Sequence, residues 1–161
     1  MKPGNKVCRF NKVFIFTAIF FFFNFSTFGS KPTDEQQVTS VVDSFFKVLE
    51  NQDIDLAKKI LLTGGSNFSI RETGNRKTLK HTVFTEVINS LGKSKKKYRE
   101  IIFSPKVLIH KDIAIVWAKY KFYIDGKFSH CGVDSFSLIK TENNWKIAGI
   151  IYTVEKSECN N

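Results

Sequence analysis

The sequence has little of what usually marks a metal, redox or membrane-spanning protein. Three cysteines are spread over 161 residues, and no two of them form a Cys-x-x-Cys pair. We therefore predict no structural zinc and no cofactor. Internal repeats and low-complexity segments are also absent from the sequence. The length suits a single domain, because domains usually hold roughly 100 to 200 residues.

The longest hydrophobic run is short. It extends from Val13 to Phe25, whereas a helix that crosses a bilayer needs roughly 20 apolar residues. Four basic residues precede the run, and small or polar residues such as Gly29 follow it, an order typical of a secretory signal. We predict a signal peptide over residues 1–29 and an exported domain, periplasmic or secreted, over residues 30–161, with no stable membrane span after cleavage. An uncleaved anchor is the alternative.

Positive charge is moderate once the predicted signal is removed. The formal net charge falls from +10, by the four basic residues of the signal, to +6. The densest remaining cluster surrounds Lys95 beside Gly92, and no aromatic residues alternate with its lysines as they do in surfaces that stack bases. A solvated loop is favoured over an anion-binding surface, and no nucleic-acid partner is predicted.

Helical patterns occupy the first half of the exported part. Thr33 followed by Gln36 is a capping box, so we predict that a helix begins there. Asp53 is the predicted cap of a second, shorter helix, which ends near residues 63–66. A short strand around residues 67–71 follows, and then a third helix from His81 to Leu91. The apolar stripe of the first helix is predicted at steps of three and four: Val38, Val41, Val42, Phe45 and Leu49.

Four consecutive strands are predicted after the third helix. Asp125 and Gly126 form the turn pair that best fits a two-residue hairpin, so the strands on either side of it should pair directly. Pro105 lacks an amide donor, which favours an edge or bulged position for the first strand. The predicted strands are Tyr98–Ile109, Ile113–Ile124, Phe128–Ile139 and Trp145–Val154.

Helices followed by an antiparallel meander predict an α+β fold. Long twisted strands curl around such helices, and the space between sheet and helix is a natural cavity for a small molecule.

Two segments of the meander resemble a known superfamily. These are residues 117–126 (Trp-Ala-Lys-Tyr-Lys-Phe-Tyr-Ile-Asp-Gly) and residues 129–136 (Ser-His-Cys-Gly-Val-Asp-Ser-Phe). Together with Trp145-Lys146-Ile147, they resemble the nuclear transport factor 2-like superfamily, and in particular SnoaL-like and bacterial lumazine-binding members. The likeness covers about residues 38 to 154. It implies a cone-shaped, cystatin-like roll of curved antiparallel sheet on three helices, and a homodimer, but no single reaction.

His130 and Asp134 are the candidate catalytic residues. They lie four apart in a predicted strand, so both point to the same face, with Gly132 leaving a gap between them. At about 3.3 Å per residue they would be roughly 13 Å apart, so they do not form a ready-made dyad. Either one could act as a general acid or base, or both could satisfy structural hydrogen bonds, and the second interpretation is slightly favoured.

The register set by the Asp125-Gly126 turn would place Trp117 opposite Asp134 and Lys121 opposite His130. Because this brings lysines and aromatic residues to one face, the pattern leaves open which face lines the cavity. The candidate ligand-binding residues are an arginine that could hold an anion and five aromatic side chains: Arg71, Trp117, Tyr120, Phe122, Tyr123 and Phe136.

Cys131 and Cys159 remain after removal of the signal, and an oxidising compartment permits a disulfide between them. A small buried thiol is the alternative for Cys131.

Three functions remain open. The leading hypothesis is an exported protein that binds an unknown small molecule. The others are a pocket enzyme of isomerase, dehydratase or cyclase type that uses Asp134 and His130, and a non-catalytic dimeric interaction module.

Overall fold

A computed structural model describes residues 31–74, 76–142, 144–157 and 159. The predicted signal peptide, residues 1–29, lies outside the described residues. None of the helices in the described part is long and apolar enough to cross a membrane. In chain order, the elements are α1 (Asp34–Asn51), α2 (Ile54–Ile60), β1 (Leu61–Thr73), β2 (Arg76–Val83), α3 (Phe84–Lys93), β3 (Tyr98–His110), β4 (Ile113–Ile124), β5 (Lys127–Thr141) and β6 (Asn144–Val154).

The two predicted helix starts are confirmed. The Thr33 hydroxyl accepts a hydrogen bond from the Gln36 amide at 3.2 Å, and the Gln36 side chain accepts one from the Thr33 amide at 2.9 Å. The Asp53 carboxylate accepts a hydrogen bond from the Leu56 amide at 2.9 Å. Both caps satisfy amides that have no partner within the first turn of a helix.

The segment between α2 and α3 differs from the prediction. The expected helix end near residues 63–66 belongs to β1, which begins at Leu61 and continues to Thr73, and the expected start of α3 at His81 belongs to β2. Strand β2 pairs with β1 at one edge of the sheet, and most of its side chains are exposed. A strand that buries neither face needs no apolar alternation, and this is why the pattern did not reveal it.

The six strands form one sheet in the order β2-β1-β6-β5-β4-β3. Every pairing is antiparallel except that of β1 with β6, which is parallel. The parallel pairing is possible because α3 and four strands separate β1 from β6 in the chain, whereas a short turn could not connect them. The predicted position of Pro105 is confirmed, because β3 is the other edge strand and its register shifts between Phe103 and Lys106.

The hairpin of β4 and β5 contains a bulge that sets the orientation of the site. Asp125 and Gly126 both have positive φ, as the predicted two-residue turn requires. Tyr123 pairs with Phe128, but Phe122 pairs with His130, so Ser129 is an extra residue on β5. The register predicted from the turn therefore holds as far as Tyr123 and Phe128 and is wrong beyond the bulge.

This one-residue shift changes which side chains share a face. Ala118, rather than Trp117, lies opposite Asp134, and Phe122, rather than Lys121, lies opposite His130. Because successive strand residues point to opposite faces, the shift places His130 and Asp134 on the face that packs against the helices. We call this the inner face, and the opposite one the outer face.

The core lies between α1 and one end of the inner face. Phe136 is fully buried and makes edge-to-face contacts with Phe45 and Phe46, with ring centroids 5.6 and 5.9 Å apart. Other side chains that are almost completely buried there are Val38, Val42, Val116, Leu138 and Ile147.

Candidate functional site

A cavity of about 490 Å³ lies between the helices and the other end of the inner face. Strands β3 to β6 supply its floor, β1 and β2 line one side, and residues of α1 and α3 lie across from them. Of the residues predicted to act on or bind a ligand, the structure brings five to this cavity: Arg71, Tyr120, Phe122, His130 and Asp134.

Asp134 is the most unusual group in the cavity. Its side chain is 4% exposed, and its Oδ2 atom is buried without a hydrogen-bond partner among the described residues. Burial raises the pKa of Asp134 to about 6, because a desolvated carboxylate is less stable than its neutral acid. A buried polar atom of this kind costs stability unless something pairs with it.

Glu100 faces Asp134 across the sheet and was missed by the sequence analysis. It projects from β3 and is close enough to hydrogen-bond with Asp134. On the intervening strand β4, Glu100 pairs with Phe122, and Asp134 pairs with the small, fully buried Ala118. The alternation of β3 contained a signal for it. Glu100 lies two residues from both Tyr98 and Ile102, which pack against the core, so all three side chains point to the same face.

Glu100 and Asp134 behave as one acid pair. Burial, followed by the nearby Asp134 carboxylate, raises the pKa of Glu100 well above its usual value. Two carboxylates at hydrogen-bonding distance repel each other, whereas a carboxylic acid can donate to a carboxylate. We therefore assign one shared proton to the pair around neutral pH, with Glu100 as the donor, and this leaves one negative charge on the floor of the cavity.

His130 lines the same cavity as the acid pair and is neutral around pH 7. Its ring stacks on Phe122 at 4.9 Å between centroids and meets the Tyr120 ring edge-on at 5.7 Å. Its Nδ1 atom is 3.0 Å from the Ser129 hydroxyl. Burial, followed by the charges of Arg71 and Lys156, lowers the pKa of His130 to about 4.

Two tyrosines complete the polar floor. The Tyr120 hydroxyl donates a 2.6 Å hydrogen bond to the Thr153 carbonyl. Burial, followed by the charge of Asp134, raises the pKa of Tyr120, so its phenol stays protonated. Burial raises the pKa of Tyr152 as well, and Tyr152 pairs directly with Asp134 across β5 and β6.

Two cations and one acid lie at the cavity's margin. Arg71 of β1 and Lys80 of β2 line the cavity with exposed side chains, as does Glu86 of α3. Arg71 was predicted as a possible anion ligand, and its position in the lining is consistent with that role.

Three predicted ligand-binding residues do not line the cavity. Trp117 and Tyr123 lie on the outer face, where Lys106 covers the Trp117 ring at 5.9 Å and Tyr123 contacts Phe128 at 5.9 Å between centroids. Phe136 lies on the inner face but is enclosed in the core. The Ser129 bulge explains the first two errors, and the packing of α1 explains the third.

The strand segment around the candidate residues is tightly held. Cys131 and Cys159 form a disulfide, with Cα atoms 5.7 Å apart. The Cys131 amide donates to the Glu155 carbonyl at 3.0 Å, and the Glu155 amide donates back at 2.9 Å. Gly132 leaves no gap, contrary to expectation, because a Cβ atom there would collide with Thr153.

The arrangement can bind and exchange protons, but it does not resemble a metal centre. Among the described residues, no group of three or more His, Cys, Asp and Glu side chains could hold a metal ion. The acid pair can accept hydrogen bonds from a ligand, and its protonated carboxyl can donate one to a ligand oxygen. The neutral imidazole can accept a proton.

A curved sheet wrapped around helices, with a cavity between them, defines an α+β pocket fold. This chain is similar to three solved structures at TM-scores of 0.60 to 0.63. A nuclear transport factor 2-like protein from Cytophaga hutchinsonii is 12% identical, over 76% of this chain and 99% of that one. A protein of unknown function with a cystatin-like fold from Nostoc punctiforme is 10% identical, over 77% and 92%. A nuclear transport factor 2-like superfamily protein from Salmonella enterica serovar Typhimurium is 16% identical, also over 77% and 92%.

The chain therefore has the nuclear transport factor 2-like fold, and the predicted fold class is confirmed. No protein-family model and no curated protein sequence matches the chain.

Proposed function

We propose that this protein is an exported binding protein that holds a small molecule in the cavity between helices and sheet. The observation that carries the proposal is the carboxyl pair of Glu100 and Asp134, with Asp134 4% exposed, in the lining of a cavity of about 490 Å³. Cavities of roughly 300 to 1,000 Å³ with a few convergent polar groups are typical of small-molecule sites. Export follows from the predicted signal peptide.

The stability cost of the site supports a binding role. A fold without a ligand would gain by filling this space with apolar side chains, as it does around Phe136. Instead, the chain places two carboxyls and a histidine there, all with pKa values shifted by burial. Polar groups that are costly to bury and converge on a cavity indicate a functional site.

A ligand screen on residues 30–161 tests the proposal directly. Binding of a small molecule should raise the melting temperature and give saturation-transfer NMR signals. Ser90 lines the cavity and its neighbour Asn89 does not, while both are exposed on α3. Ser90→Trp should abolish binding, whereas Asn89→Trp should preserve it. A broad library without a single hit, or hits that survive Ser90→Trp, would contradict the proposal.

A pocket enzyme is the second candidate, and the acid pair is the observation that favours it. Asp134, whose pKa is raised to about 6, could take a proton from a substrate carbon, while protonated Glu100 stabilises the developing oxyanion. This chemistry suits an isomerase, dehydratase or cyclase. Asp134→Asn should then abolish turnover but leave the bound complex detectable, and a variant with unchanged turnover would exclude this role.

We also propose that the outer face pairs with a second copy of this chain. Large apolar side chains are exposed there, among them Leu108 at 69%, Ile113 at 60% and Ile151 at 52%. Monomers rarely expose such patches, and closed pairs of identical faces are the commonest assemblies. Light scattering should give a dimer mass for the natural chain and a monomer mass for Ile113→Asp. A monomeric natural chain would overturn this proposal, and with it the third candidate, a dimeric interaction module.

A further inference from the structure

We infer that the cavity selects amphoteric molecules, with a protonated amine or amidine bound at Glu100 and Asp134 and an acidic group bound at Arg71. The inference rests on the proposed binding function and specifies its ligand class. It depends on the placement of charge within one cavity, where the carboxyls lie on the floor and the arginine at the margin.

The floor is built to receive hydrogen-bond donors. The Asp134 Oδ2 atom can only accept, and its neighbour Glu100 is another carboxyl. One shared proton leaves the pair with one negative charge in a poorly solvated position. An ammonium or amidinium group supplies both the donors and the opposite charge, and it can displace the shared proton.

The walls favour a cation of this kind. The ring of Phe122, stacked with His130, and the rings of Tyr98 and Tyr152 line the same cavity. Aromatic faces attract organic cations, most strongly where water is excluded. His130 adds no competing positive charge around pH 7, because burial lowers its pKa to about 4.

The margin carries the opposite charge. Arg71 and Lys80 outnumber Glu86 among the exposed charged residues that line the cavity. Arg71 is close enough to the floor for its charge to influence His130 and Tyr152. A guanidinium group binds carboxylate or phosphate with two parallel hydrogen bonds, so Arg71 can hold the acidic end of a molecule whose amine reaches the floor.

Three probes of matched shape test the inference on residues 30–161. They are 4-(aminomethyl)benzoate, 4-methylbenzylamine and 4-methylbenzoate, compared by saturation-transfer NMR and calorimetry. We expect the amine to bind about tenfold tighter than the benzoate and the amphoteric probe to bind tightest, since each charge-assisted contact adds affinity. Amine binding should release up to about one proton from the acid pair, measured as a dependence of the binding heat on the buffer.

Variants separate the two ends of the ligand. Glu100→Gln should remove proton release and reduce the preference for amine over benzoate. Arg71→Gln should remove the advantage of the amphoteric probe over the amine. Arg99→Gln is the matched control, because Arg99 is exposed on β3 and does not line the cavity, and it should change nothing.

Two outcomes would overturn the inference. If 4-methylbenzoate binds as tightly as the amine, the floor does not select cations, although small-molecule binding stands. If none of the three probes binds at millimolar concentration, this ligand class is wrong, and the library screen with Ser90→Trp decides separately whether the cavity binds other molecules.

Discussion

Strand β5 contributes to both ends of the inner face, and the two ends differ in what surrounds them. At the closed end, Phe136 and Leu138 are at most 1% exposed and pack against apolar side chains. At the open end, His130 and Asp134 line a cavity together with Glu100. One strand therefore stabilises the fold at one end and presents costly polar groups at the other.

The comparison indicates where substitutions should affect stability and where they should affect binding. Close packing makes the closed end sensitive to lost volume. At the open end, stability depends instead on pH and on covalent restraint, because buried carboxyls and a disulfide lie there.

Phe136→Ala should have the largest effect, a loss of about 4 kcal/mol of unfolding free energy, because it opens a cavity in the core. Urea denaturation followed by tryptophan fluorescence measures this loss. Phe128→Ala is the matched control on the same strand, since Phe128 is 47% exposed, and it should cost about 0.5 kcal/mol. Equal costs for the two variants would mean that the closed end is not the core.

Replacing both Cys131 and Cys159 with serine should cost about 3 kcal/mol, because the disulfide closes a loop between residues 28 apart and so restricts the unfolded chain. Denaturation of the oxidised protein, the reduced protein and the double variant measures the loss. The reduced protein should match the variant. If all three unfold at the same urea concentration, the disulfide does not restrain the open end.

Asp134→Asn should change the pH dependence of stability. The pKa of Asp134 is raised in the folded state. Its contribution to folding stability is therefore fully present below pH 3.8 and is lost as pH rises through about 6. Asparagine does not titrate. As pH rises from 4 to 7.5, the unfolding free energy of the variant should therefore increase by roughly 2 kcal/mol relative to that of the natural chain. Comparison at each pH cancels the opposite contribution of His130, whose pKa is lowered.

Asp34→Asn is the control for that experiment, and its effect should have the opposite sign. Hydrogen bonds from Lys140 and Trp145 lower the pKa of Asp34 at the closed end. Its stabilising contribution is present above pH 3.8 and is lost as pH falls. The substitution should therefore lower the unfolding free energy more at pH 7.5 than at pH 3. If raising the pH changed the relative unfolding free energy of both variants in the same direction, the ionised Asp134 would not be destabilised by burial.

Local signals in the sequence predict much of the fold. Capping residues specified the starts of two helices, and the Asp125-Gly126 turn specified the central hairpin. Pro105 indicated the edge strand. Each of these depends on the conformational preference of one or two residues, which acts without regard to the rest of the chain.

The candidate site is less predictable, because it depends on contacts between distant residues. A single bulge at Ser129 reverses which face carries His130, and the turn residues contain no sign of it. Glu100 acquires its role from Asp134, which lies two strands away in the sheet. Strand β2 was missed because an exposed edge strand needs no apolar pattern.

The central claim is that Glu100 and Asp134 form a buried acid pair on the floor of the cavity. Carbon-13 NMR of the two side-chain carboxyls across pH 3 to 9 tests it most directly. We predict coupled titrations, with both apparent pKa values above the usual 3.8 for aspartate and 4.5 for glutamate. Two independent titrations at those usual values would contradict the account, because the carboxyls would then be solvated and apart.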